Sequence, residues 1–90
     1  MKTFDIEVLN SVVNAVNVSV EAIYDSTSMY GFDKAIHVEA KYQLFVGLSN
    51  VAEYLGFSAY QVNALTEQLF EANKEMFIEK AYIAFEGEYA

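Results

Sequence analysis

Residues 55–62 run Leu-Gly-Phe-Ser-Ala-Tyr-Gln-Val, and this stretch constrains the fold more than any other in the chain. Gly56 can close a helix from the left-handed conformation that side-chain-bearing residues resist. Two residues on, Ser58 can cap a new helix, and Gln61 stands where its side chain reaches back to the Ser58 amide. Phe57 and Val62 are spaced to clasp the same turn as a hydrophobic staple. One helix therefore ends at Leu55 and another begins at about Ala59, joined at a tight corner.

Elsewhere punctuation is sparse. There is no proline and there are only four glycines, so the chain predicts a few long helices in a single domain spanning residues 1–90. Between Asp5 and Tyr24, apolar residues fall at Ile6, Leu9, Val13, Val16, Val20 and Ile23. These three- and four-residue steps mark one stripe of a helix. Glu7, Asn10, Asn14, Asn17 and Glu21 take the other side. Asp5 is the expected N-cap, with Phe4 and Leu9 as its staple. The valines lower helix propensity somewhat. Residues 25–33 (Asp-Ser-Thr-Ser-Met-Tyr-Gly-Phe-Asp) are turn-formers with Gly31 able to take positive φ. Met29, Tyr30 and Phe32 within them either cap the core or form a loop contact.

Residues 34–55 support two periods. Ile36, Val38, Ala40, Tyr42, Leu44, Val46 and Leu48 alternate as in a strand. Ala40, Leu44, Leu48, Val51 and Leu55 also fit a helix. A strand spanning the whole alternating run would be rare, and no hairpin turn supplies a pairing partner. The expectation is a helix, with an α+β fold using a strand in residues 36–46 as the alternative. The last helix is expected to run to about Phe85, with Val62, Leu65, Leu69, Ala72, Met76 and Ile83 toward the core. The fold class is thus all-α: a small bundle of three helices, or four.

The pattern Val51-Ala52-x-x-Leu55-Gly56-x-Ser58-x-x-x-Val62-x-x-Leu65 resembles the helix-turn-helix of bacterial and phage regulators. The resemblance covers roughly 15 residues and implies a helix corner with a small residue packed between the helices. It departs from a DNA reader in charge. No Lys or Arg occurs between Tyr42 and Asn73, whereas affinity for DNA comes mostly from cationic contacts to phosphate. Direct nucleic-acid binding is therefore disfavoured.

The chain carries 13 acids against five lysines and no arginine, a formal charge of −8. Such a surface repels phosphate and anionic lipid and is drawn to basic surfaces. The acids are patterned: Glu67, Glu71, Glu75 and Glu79 repeat every four residues, and Glu86 returns seven later. On a helix the first four form a ridge about 18 Å long, in which each like-charged pair costs roughly 0.2–0.5 kcal/mol. Either the ridge is a solvated face, or it is a line of negative charge directed at a basic partner. A second apolar arc, Phe70, Phe77, Ala81 and Ala84, is expected about 100° round the helix from the core stripe. It would pack on the first helix or on a second copy in a homodimer.

Catalytic chemistry finds no support. A chain with one histidine, His37, and no cysteine holds neither a Ser-His-acid nor a Cys-His set, and no Cys/His zinc site. Residues 25–36 misplace both the glycine and the bidentate glutamate of a calcium loop. No phosphate-binding glycine loop is present. No cofactor is expected. Asp5 and Glu7 stand where a signal peptide needs a positive start and an unbroken apolar core, and no apolar run is long enough for a membrane span, so the chain is expected in the cytoplasm. In size, acidity and lack of catalytic groups it resembles small phage-encoded anti-defence proteins, including anti-CRISPR proteins. The resemblance is of character and rests on no particular residue. It implies a non-enzymatic inhibitor, acting in a bacterial host, that occupies the basic nucleic-acid-binding surface of another protein. The alternatives are a homo-oligomeric adaptor module and a degenerate helix-turn-helix regulator.

Overall fold

The corner at Gly56 forms as its residues dictate. Gly56 sits at φ 77°, ψ 26°. The Phe57 N–H donates to Ala52 O at 2.8 Å and the Gly56 N–H to Glu53 O at 3.2 Å. Together they satisfy the last carbonyls of the preceding helix in a Schellman closure. The Ser58 N–H donates to Gln61 Oε1 at 2.7 Å, and the Gln61 N–H donates back to Ser58 Oγ at 3.2 Å. Phe57 and Val62 pack in one cluster with Leu9 and Leu48.

A computed structural model describes residues 3–18, 21 and 31–89. Among these residues the chain is all-α, with three helices and no strand: α1 Thr3–Ala15, α2 Phe32–Leu55 and α3 Ala59–Tyr89. Helix α3 has 31 residues, about 46 Å at 1.5 Å per residue, and it sets the 43 Å long axis of the molecule.

Helices α2 and α3 fold back on each other as an antiparallel hairpin. Leu48 packs near Val62 by the corner, Lys41 meets Glu67 further along, and Asp33 meets Tyr82 near the far end. The α2 core line is Ile36, Ala40, Leu44 and Leu48, all 0% exposed. These residues are four apart, so one helix face collects them. Tyr42 and Val46 of the same alternating run stay exposed. The strand reading of residues 36–46 is thereby corrected. The period of two was an accident of apolar residues lying on more than one side of a helix.

Helix α3 corrects a second expectation. Its buried residues are Val62, Thr66, Phe70, Phe77 and Ala81. Of the expected core, Leu65, Leu69 and Met76 are only partly buried, while Ala72 and Ile83 are exposed. Helix α3 carries two adjoining apolar arcs, and α2 chose the aromatic one. Phe70 and Phe77 are 2% and 1% exposed and stack with centroids 6.2 Å apart. These two rings and Ala81 are therefore spent inside the chain, while Ala84 stays half-buried. Thr66 is buried at no polar cost, because its hydroxyl donates to Val62 O at 2.8 Å.

Helix α1 places Leu9 and Val13 in the core as expected, and Val16 just beyond it is buried too, but Ile6 is left half exposed. It ends at Ala15, well short of Tyr24, and Asp5 lies in its first turn and not at its N-cap. The Val16 N–H closes a last short turn on Val13 O at 3.2 Å. Beyond it Val16 and Val18 are both buried, an alternating pattern of extended chain. Gln43 explains the stop. Its Nε2 donates to Asn17 O at 2.8 Å and its Oε1 accepts from the Asn17 N–H at 2.7 Å. The side-chain amide thus replaces the helical partners of these backbone groups, in a valine-rich stretch with little helix propensity to lose. Val20 and Ile23 lie outside the described residues.

Gly31 precedes α2 at φ 81°, ψ 168°, a conformation essentially restricted to glycine. Gly47 in mid-helix serves a different purpose. A β-carbon there would fall 2.8 Å from Val12 Cγ1, so its absence lets α1 approach α2 closely.

Candidate functional site

Helix α3 presents all five singled-out glutamates to solvent, but it divides them. Phe70 faces α2, and at 100° per residue Glu67 and Glu71 lie about 60° and 100° from it. They border the edge shared with α2. Glu75, Glu79 and Glu86 lie about 140–180° round, on the outer face, and span about 17 Å of helix.

The division is also electrostatic. Lys41 Nζ of α2 sits 3.1 Å from Glu67 Oε2, and Lys74 Nζ sits 3.6 Å from Glu71 Oε2. Lys41 also lies 4.9 Å from the centre of the Phe70 ring, so its ammonium faces both a carboxylate and a π cloud. Both ion pairs are well exposed and of the kind worth about 0–1 kcal/mol. Among the described residues no ion pair reaches Glu75, Glu79 or Glu86. The pairing of Glu71 with Lys74 was visible in the sequence, because the two stand one helical turn apart. The Lys41–Glu67 contact, across 26 residues, was not.

A second feature lies beside the first two glutamates. Helix α1 covers one side of the α2–α3 hairpin. On the other side, two hollows of about 280 and 580 Å³ adjoin through shared walls at Phe45 and Asn63. Tyr42 and Phe45, 63% and 42% exposed, stand on the α2 side of this open groove. The sequence signal for it was available: Val38, Tyr42, Phe45, Ser49 and Ala52 recur in steps of four and three, a second seam on α2.

His37 is half-buried and lies edge-on to Phe70 at 5.3 Å between ring centres, which gives it a packing role. At the open end of the hairpin, the Tyr82 hydroxyl donates to Asp33 Oδ1 at 2.7 Å. That hydrogen bond, then desolvation and the Asp33 charge, raise the Tyr82 pKa above the usual value of 10.0. Phe32 opens α2, while Met29 and Tyr30 lie outside the described residues. Among the described residues no cluster of metal-ligating side chains occurs, and no helix is long and apolar enough to cross a membrane.

The corner that resembled a helix-turn-helix is the tip of the antiparallel hairpin. Along the helix that would read DNA, Val62, Thr66 and Phe70 face the chain's own core. No protein-family model, curated protein or solved structure matches the chain.

Proposed function

We propose that the chain is a non-enzymatic binding protein whose acidic α3 face engages a basic, nucleic-acid-binding surface of a partner protein and so competes with nucleic acid for it. The observation that carries this reading is the outer face of α3. There Glu75, Glu79 and Glu86 stand exposed on one side of a long helix, with no ion pair from the described residues. A helix shaped by stability alone would place lysines among them. The net charge of −8 gives the whole surface the same sign, which speeds encounter with a basic partner and excludes anionic ones. The character shared with small anti-defence inhibitors is consistent with such competition.

The test is affinity capture from bacterial lysate at low and moderate salt. The baits are the native protein and its Glu75/Glu79/Glu86→Gln variant. The expected result is a nucleic-acid-handling protein held by the native bait only, and released by salt or by added DNA. If both baits hold the same partner, or only further copies of the chain, the acids do no more than solvate the helix.

A further inference from the structure

We propose that the open groove between α2 and α3 docks a basic amphipathic helix of the partner, which lies along the hairpin as a fourth helix. This rests on the reading of the partner as basic, and adds the element by which it is gripped.

The α2 wall argues for a helical occupant. Val38, Tyr42, Phe45, Ser49 and Ala52 are spaced four, three, four and three, the seam that accepts knobs from a neighbouring helix. It is distinct from the line of Ile36, Ala40, Leu44 and Leu48 that α3 already fills. From Val38 to Ala52 the seam runs about 21 Å, the length of a four-turn helix. Phe45 and Asn63 border both hollows, so the two adjoin along the seam, one toward Val38 and the other toward Ala52. Exposed Tyr42 and Phe45 supply the rigid aromatic contacts that usually dominate such docking.

The α3 wall argues for basic charge. Glu67 lines the groove beside its partner Lys41, Glu71 follows one turn along the same edge, and the net charge of −8 sets the sign of the surrounding field. Their lysine partners hold them in exposed ion pairs that an incoming cation can share or replace at little cost. A helix with leucine-like residues toward Phe45 and lysine or arginine toward Glu67 matches both walls. A second copy of this chain would bring its own net charge of −8 against the same acids, so charge disfavours that occupant.

The test uses isotope-labelled full-length protein and three synthetic helical peptides of about 15 residues, close to the groove length. One has leucine and lysine faces, one leucine and glutamine, and one serine and lysine. The leucine–lysine peptide is expected to bind with amide shifts at Tyr42, Phe45, Ser49 and Asn63. Phe45→Ser and Tyr42→Ser are each expected to weaken it about tenfold or more. Both side chains are exposed, so thermal melts should show the variants still folded. Shifts confined to the neighbourhood of Glu75, Glu79 and Glu86, or unchanged binding by Phe45→Ser, would overturn the groove and leave the acidic-face reading standing. Equal groove binding by the leucine–glutamine peptide would overturn the basic character of the occupant and count against the acidic-face reading as well. Equal groove binding by the serine–lysine peptide would overturn the apolar grip. A dimer in the absence of peptide, with Phe45 at its seam, would assign the groove to a second copy and overturn the proposal.

Discussion

The two flanks of the α2–α3 hairpin start from similar apolar material and end in opposite conditions. On one flank α1 covers α2, with Val12 close against Gly47 and a hollow of about 320 Å³ left beside them, lined by Val8, Val16, Gln43 and Val51. On the other α2 offers Val38, Tyr42, Phe45 and Ala52, and only a groove lies there. The closed flank has a missing β-carbon that admits a helix, and an amide that ends it. The open flank has bulky rings with a charged rim. Apolarity alone, then, did not select which flank α1 would cover. Close approach and hydrogen-bond pairing did.

The contrast between core and open flank is the largest effect to measure. Leu44→Ala is expected to cost about 3–5 kcal/mol in chemical denaturation, because the side chain is fully buried. Its sequence neighbour Phe45→Ala should cost less than about 1 kcal/mol. Equal losses at the two positions would mean that the open flank is covered in solution.

On the closed flank, Gln43→Ala removes both hydrogen bonds to the Asn17 backbone and is expected to cost about 1–2 kcal/mol. Hydrogen exchange at the Asn17 amide should quicken in that variant. A result within error of the native protein would show that the extended segment after α1 is held by Val16 and Val18 alone.

A smaller effect probes the close approach. Gly47→Ala gains about 1 kcal/mol of helix propensity. It loses about 1–3 kcal/mol to the clash with Val12. The net expectation is a loss of about 1 kcal/mol. In a Val12→Ala background the clash disappears, and the same change should stabilise. No reversal of sign in that double-mutant cycle would remove Gly47 from the account of α1 docking.

The smallest effect lies at the open end of the hairpin, where Tyr82 and Asp33 meet. The Tyr82 pKa is raised when folded, so its contribution to stability is full below about pH 10. It is lost as pH rises through the raised value, because the unfolded state releases the proton first. Tyrosine-specific NMR titration should show Tyr82 ionising above the ordinary tyrosine range. Asp33→Asn should lower that midpoint.

Local chemistry was legible wherever its partners were near in sequence. Gly56, Ser58 and Gln61 formed the corner expected of them, because the groups that satisfy them lie within a turn or so of chain. The solvent exposure of Glu67, Glu71, Glu75, Glu79 and Glu86 was legible for the same reason, since a four-residue repeat of charge has few other places to go. Three features were not legible. The α3 core moved to Phe70, Phe77 and Ala81 because two apolar arcs competed, and only the shape of α2 could choose between them. Lys41 reached Glu67 across 26 residues, a distance that no local pattern spans. The early end of α1 depended on Gln43, whose amide could not be assigned to Asn17 before α1 and α2 were packed.

That this chain is helical, where its hairpin turns and that its surface is acidic all follow from the order of its amino acids. Backbone preference, capping and charge set those properties, and they act within one or two turns. Which apolar arc is core, which glutamate Lys41 reaches and which flank of the hairpin stays open were settled only when the helices packed. Those choices depend on how closely two helices can approach, and that is a property of both surfaces together.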